Sequence, residues 1–274
     1  MLLTEAVHVP PTHRERMTQI MFETFNVNKM AVTTAVQLSL HASGRHTGVI
    51  VDVGDGVTQL VPIMDQQVLQ SKARTFHIGG ANLTDLLMHL LTERAICPFT
   101  AQSQRKTAMD IKEKLTYVAS DFYVEMGVAE TTTTLVKTYA LHDKIISLNT
   151  ERFQCPEALF NPSFVGFECP GLHLVLGDVM QQLDPTIRNG MYGNILLSGG
   201  TSLCPGLGER LKAEIDLQRP TGAPPCHVIS PPDRHISAWI GGSRLASQSL
   251  HQSNWVTKDD YDEVGPAVVH KRCI

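Results

Sequence analysis

The chain has 274 residues, 42% of them hydrophobic and 18% charged, which excludes an intrinsically disordered protein and allows one large domain or two small ones. The net charge of −4 gives no field of one sign that would draw nucleic acid or an anionic membrane. No apolar run approaches membrane-spanning length, and Glu5 interrupts the Met1-Leu2-Leu3 start too early for a signal peptide. The six cysteines, Cys97, Cys155, Cys169, Cys204, Cys226 and Cys273, form no CxxC pair, and the twelve histidines form no HExxH. A zinc site is therefore not expected, and scattered thiols suit a reducing compartment.

In chain order, Leu2-Leu3-Thr4 reads as a short strand, and Pro10-Pro11 breaks it. Thr12 with Glu15 has the spacing of a capping box, predicting a helix on which Met17, Ile20, Met21 and Phe25 form one buried stripe. The apolar run from Met30 to Leu40 predicts a strand passing into a helix, closed by Ala42-Ser43-Gly44-Arg45. Thr47–Asp52 and Val57–Ile63 flank Gly54-Asp55-Gly56 as a β-hairpin. After Gly79-Gly80, Leu83, Leu86, Leu87, Leu90 and Leu91 mark an amphipathic helix, and Pro98 closes that region. A further helix is expected from Ala101 to Ser120, with Ile111, Leu115 and Val118 inward. Strand character returns from Val136 to Leu148 around a turn at His142-Asp143. Ile195-Leu196-Leu197 is a strand, Gly206 to Ile215 a helix, Val228-Ile229 a strand, and a last helical region holds Trp239, Leu245 and Trp255. Strands alternating with helices give an α/β class.

Two glycine turns could carry chemistry. In Asp52-Val53-Gly54-Asp55-Gly56, a strand delivers a carboxylate to a turn whose amides can approach a phosphate, and Asp52 could hold a water on a magnesium ion. Most Asp-Gly hairpins are only hairpins. In Ser198-Gly199-Gly200-Thr201, a strand runs toward a helix, so free amides could face an anion, or the turn could simply be a tight connection. No Walker A, GxGxxG or GxSxG motif occurs. Lys112-Glu113-Lys114 reads by itself as a solvated charged helix face.

The runs LLTEA (Leu2–Ala6), MTQIMFETFN (Met17–Asn26), LSLHASGRHTG (Leu38–Gly48), GDGVTQLVPI (Gly54–Ile63) and MDIKEKLTYVASDF (Met109–Phe122) carry a family resemblance. NTERFQCPEALFNPSF (Asn149–Phe164), ILLSGGTSLCPG (Ile195–Gly206), AWIGGSRLAS (Ala238–Ser247) and YDEVGPAVVHKRC (Tyr261–Cys273) extend it in one register. The chain resembles actin from Leu2 to Cys273. The resemblance implies an α/β fold shared with heat-shock chaperone ATPases and sugar kinases, in which two halves flank a cleft for ATP and a divalent cation. It implies that residues 1–42 and 237–274 belong to the first half, 43–78 and 169–236 to the inner part of the second, and 79–168 to its outer part. It assigns Asp52, Gly54, Asp55 and Gly56 to the second phosphate hairpin, with Asp52 reaching magnesium through water. It assigns Gly80, Lys112, Glu113, Gly200 and Thr201 to the ribose and adenine surroundings.

Departures from the family pattern temper the expected activity. By alignment the family's first phosphate hairpin and its lysine precede Leu2, so the first half is expected to be incomplete, keeping strands only near Leu2–Thr4 and Lys29–Thr33. Exposed sheet edge and apolar surface, a covering partner or self-association are expected there. The family's water-orienting glutamine falls at Ala35, and Gln37, two residues on in a helix, would point elsewhere. Gln59 replaces a hairpin histidine, while Met109, Cys204 and His235 replace an arginine, a tyrosine and a lysine. The partner groove carries His41, His46, Gln66 and Gln248 where actin favours apolar contacts, and keeps Gly44 and Leu245. The resemblance thus implies a cytoplasmic, cytoskeleton-associated structural protein, meeting actin, other cytoskeletal proteins or itself, with weak or absent ATP/ADP and magnesium binding. A nucleotide switch or slow ATPase, or a scaffold subunit that forms no filament, are the alternatives.

Overall fold

The computed structural model describes residues 1–94, 102–141, 144–247 and 255–273. Eleven strands form three sheets among them: β1 (Leu2–Glu5), β2 (Lys29–Thr34), β3 (Gly48–Val53), β4 (Thr58–Met64), β5 (Gln67–Val68), β6 (Arg74–Phe76), β7 (Lys137–Leu141), β8 (Lys144–Leu148), β9 (Ile195–Ser198), β10 (Val228–Ile229) and β11 (Val256–Thr257). The largest sheet runs β10-β9-β3-β4-β5, with β6 also paired to β4. Its centre, β3, is flanked by parallel β9 and antiparallel β4. A strand covered on both faces needs a near-continuous apolar run, which Gly48-Val49-Ile50-Val51 supplies.

The two faces of this sheet have different partners. Val49, Val51, Val53, Leu60, Ile195 and Leu197 belong to the main core. Ile50, Val61, Ile63 and Leu196 instead pack on Val36 and Leu40 of the helix Ala35–Ala42. That helix starts from a capping box: Gln37 N–H donates to Thr34 Oγ1 and Thr34 N–H to Gln37 Oε1, both at 3.3 Å. It crosses the helix Ser237–Ser247 backbone to backbone, since a Cβ on Gly241 would lie 1.8 Å from the Leu38 carbonyl oxygen.

The smaller sheet runs β1-β2-β11. It keeps the two strands expected from the sequence and adds antiparallel β11, with Val256 opposite Met30. Phe22 and Tyr261 stack beside it at 4.7 Å. On its outer side, β1 has no strand neighbour among the described residues. β7 and β8 form a separate hairpin; the turn expected at His142-Asp143 lies outside the described residues.

Several expectations are corrected. The helix Pro11–Gln19 has Pro10 at its N-cap and no side-chain cap, and Glu15 instead meets His270 at 3.0 Å. Proline pre-sets the first helical φ, so the cap is dispensable. The chain then winds as a π turn at Ile20–Thr24, which rotates the stripe: Phe22 is buried, while Phe25 is 65% exposed. The helix placed at Ala101–Ser120 is described as Gln102–Leu115. Val118 lies beyond it, buried because its N–H is held by the Pro205 carbonyl at 2.8 Å. The helix Phe122–Thr131 follows, capped by Asp121, whose carboxylate accepts from the amides of Tyr123 and Val124. Trp255 stands outside the helix Ser237–Ser247, and Cys97, Pro98 and Gln248 fall outside the described residues. No helix of the described residues is long and apolar enough to cross a membrane.

A buried charge cluster joins three segments of the chain. Glu157, on the helix Glu151–Glu157, sits 3.4 Å from Arg210 of the helix Leu207–Gln218. Arg210 also donates to Glu214 at 2.7 Å and to the Ala119 carbonyl at 2.9 Å. Burial pushes the Glu157 carboxyl up to about 7; Arg210 opposes this, and Glu214 and Asp121 add to it. A carboxyl that holds its proton more tightly when folded loses stability as pH rises from its unfolded value through its folded one. Glu157→Gln, which mimics the protonated form, should therefore raise the melting temperature at pH 8, and the gain should vanish near pH 4, as thermal melts across that range would reveal. At the helix crossing, Gly241→Ala should cost a net 1–3 kcal/mol or so in urea unfolding, because overlap with the Leu38 carbonyl outweighs the roughly 1 kcal/mol gained in helix propensity.

Candidate functional site

The two glycine turns meet at one atom. The Gly54 carbonyl oxygen accepts the Gly80 amide at 3.0 Å and the Thr201 hydroxyl at 2.9 Å. The Asp55 carbonyl accepts the Ala81 amide at 2.8 Å. The start of the helix Gly80–Glu93 is thus committed to the hairpin between β3 and β4, and the turn after β9 is tied to the same place. The joint leaves little room for side chains. A Cβ on Gly80 would come within 2.5 Å of Thr201 Oγ1, and one on Gly199, at φ +87°, within 2.3 Å of the Val53 carbonyl oxygen.

Lys112 closes the joint from the helix Gln102–Leu115. Its ammonium donates to the Gly80 carbonyl at 2.7 Å and to Thr84 Oγ1 at 2.9 Å. It is buried and is not the solvated face read from the sequence, whereas Glu113 beside it is exposed. Desolvation lowers the Lys112 pKa, while Asp55 and Glu113 hold it up. The turn after β9 also differs from expectation. A 3-10 turn, Gly200–Leu203, intervenes, and the helix starts only at Leu207, so its first amides do not face the turn directly.

Beside this joint lies a cavity of about 300 Å³, at the lower end of ligand-sized pockets. Lys112, Glu113, Gly200 and Thr201 line it, together with Leu83, Thr116, Leu203, Cys204 and His235. Of the expected residues, Gly54, Asp55, Gly80, Lys112, Glu113, Gly200 and Thr201 are therefore gathered around one cavity and its edge. Gly56 stands at the exposed hairpin tip, with nothing within 4 Å of where a Cβ would be. The amides of Asp55 and Gly56 donate to no other described group. Thr84, Thr116 and Leu203 were not singled out from the sequence. Thr84 lies on a helix four residues after Gly80, and Thr116 lies just past the helix Gln102–Leu115, four residues after Lys112, whose carbonyl its hydroxyl reaches at 2.7 Å, a spacing that could have marked them.

Asp52 lies under the hairpin, opposite Gln59 on β4 and Ser198 on β9, so the three side chains share one face at the carboxyl end of β3. Burial pushes its carboxyl above the ordinary range, and a hydrogen bond from Ser198 opposes the shift. Gln59 is only 6% exposed. Gln37 does point elsewhere. Its amide is used in the Thr34 cap and in a 3.0 Å bond to the Gln66 carbonyl, and it lines a small groove with His41, Arg45, Gln66 and Leu245.

The actin family model matches residues 1–274. The chain belongs to the actin family. Its cavity and turns fit the nucleoside and phosphates such a fold accommodates: an apolar wall at Leu83 and Leu203, hydroxyls at Thr116 and Thr201, a carboxylate at Glu113, and unpaired hairpin amides at Asp55 and Gly56. A magnesium ion, when bound, would supply charge neutralisation between phosphates, and Asp52 is the carboxylate that would hold it. Cys204, in place of a tyrosine, is a thiol whose pKa burial pushes up to about 11, so it stays neutral.

The Asp52 shift fixes a pH dependence. An ionised carboxylate that prefers its proton in the fold costs stability above the ordinary carboxylate range and none below it. Without ligand, Asp52→Asn should therefore melt higher than the wild type at pH 7.5 and level with it at the acid end. It should also lose the magnesium-dependent part of any rise produced by ATP, which paired melts in magnesium and in chelator would test.

Proposed function

We propose that the chain is an actin-like structural protein of the cytoplasm and cytoskeleton that works through protein contacts and holds adenine nucleotide without hydrolysing it quickly. The observation that carries this reading is the joint at the Gly54 carbonyl. The hairpin, the Gly80 helix start and the Thr201 turn are locked around a nucleoside-sized cavity, while the family resemblance puts Ala35 at the position of the water-orienting glutamine and Gln59 at that of a hairpin histidine. Hydrolysis needs a held water and charge stabilisation on the phosphates. Lys112, the one lysine or arginine lining the cavity among the described residues, is already bonded to Gly80 and Thr84.

The altered groove supports selective partner contacts. His41, Arg45, Gln37 and Gln66 set polar groups among the apolar Leu38, Leu40, Ile63 and Leu245 that line it, so a partner must match polar groups as well as apolar surface there. The cavity itself favours a second reading, a nucleotide-binding switch. The two part on turnover and assembly. The structural reading expects co-sedimentation with filamentous actin or with itself, and phosphate release from Mg–ATP indistinguishable from background over hours. Steady phosphate release from a chain that stays in the supernatant would replace it with the switch.

A further inference from the structure

Three serines close a ring beneath Asp52. Ser39 comes from the helix Ala35–Ala42, Ser198 ends β9, and Ser237 begins the helix Ser237–Ser247. None is more than 7% exposed. Their hydroxyl oxygens are mutually bonded, Ser39 to Ser198 at 2.9 Å, Ser198 to Ser237 at 3.1 Å, and Ser237 to Ser39 at 2.9 Å. Each also has a contact outside the ring. Ser39 reaches the Ala35 carbonyl at 3.1 Å, Ser237 reaches the Arg234 carbonyl at 3.0 Å, and Ser198 faces Asp52 as its partner in the β3–β9 register.

A hydroxyl has one proton to give and can accept twice. Three protons therefore serve more contacts than they can satisfy at once, and the choice at one serine constrains the others. When Ser198 donates to Asp52, its oxygen can only accept inside the ring. Ser39 or Ser237 must then turn its proton inward, away from its own helix carbonyl. The ring also sits at a crossing where two helices touch backbone to backbone, at Leu38 and Gly241. We propose that Ser39, Ser198 and Ser237 form a hydroxyl relay that positions the Asp52 carboxylate and couples it to the crossing of the helices Ala35–Ala42 and Ser237–Ser247. Ser39 and Ser237 are positioning residues that act on Asp52 through Ser198.

Contacting networks of this kind give non-additive mutants, while independent packing hydroxyls add. The test is urea unfolding of the ligand-free full chain in a double-mutant cycle. Ser39→Ala should lower the folding constant about fivefold more in the wild-type background than in the Asp52→Asn background, although Ser39 is bonded to Ser198 and not to Asp52. Ser237→Ala should repeat the result from the opposite helix and serves alone if Ser39→Ala does not fold. Ser43→Ala is the control. Its hydroxyl bonds the Leu40 carbonyl outside the ring, so it should cost the same in both backgrounds. Equal costs for Ser39→Ala and Ser237→Ala in the two backgrounds would overturn the relay. Its use in holding a nucleotide's cation rests on the function proposed above, but this cycle contains no ligand. A chain that fails to bind Mg–ATP, tested separately with a fluorescent ATP analogue, would sink that function and leave the relay to stand or fall on the cycle.

Discussion

The Gly54 carbonyl oxygen is the point on which the site's geometry depends. It takes an amide from Gly80 and a hydroxyl from Thr201, so pieces separated by up to 147 positions are fixed by two hydrogen bonds to one acceptor. A buried carbonyl left without donors would be costly, which makes the arrangement strongly preferred over one in which the turns splay. Glycines at 80 and 199 are the steric consequence, because a side chain at either would strike the partner turn. Lys112 then neutralises the inward-facing Gly80 carbonyl from a third element. Cavity, hairpin and second turn follow from this joint.

Beneath the joint, the physics changes from backbone polarity to packing. One face of the central sheet enters the main core, while the other meets a single helix whose start is capped by Thr34 and Gln37. That helix can approach the helix Ser237–Ser247 closely only because Gly241 has no side chain. Asp52 lies where these constraints converge, half-buried and facing Ser198. Burial disfavours its charge, and a cation above it would offset that cost. Stability and ligand affinity thus pull against each other at one residue.

Much of this was legible in the sequence. The hairpin from Thr47 to Ile63, the strand at Ile195 and the helix after Gly80 are continuous apolar or strictly patterned runs bounded by glycine, so local chemistry decides them. The joining of the turns was legible only through the family resemblance, since the Gly54–Thr201 bond spans the chain and leaves no local pattern. The π turn at Ile20–Thr24 escaped for a related reason: a period of five residues breaks the helical stripe, and nothing in Met17–Phe25 announces it. Lys112 was misread because its burial is set by Thr84 and Gly80 on another helix, while its own neighbours Glu113 and Lys114 face solvent. The serine ring was invisible, because its members stand 39 and 159 positions apart.

The function proposed above has the joined turns holding adenine nucleotide without hydrolysing it quickly. The most direct measurement is the melting temperature of the purified chain titrated with Mg–ATP. A ligand that binds only the folded state adds about 2.7 kcal/mol at a hundredfold excess over its dissociation constant. The account predicts a saturable rise that depends on magnesium. A cooperative melt that does not move at millimolar Mg–ATP would contradict it and leave a scaffold that uses the fold without the nucleotide.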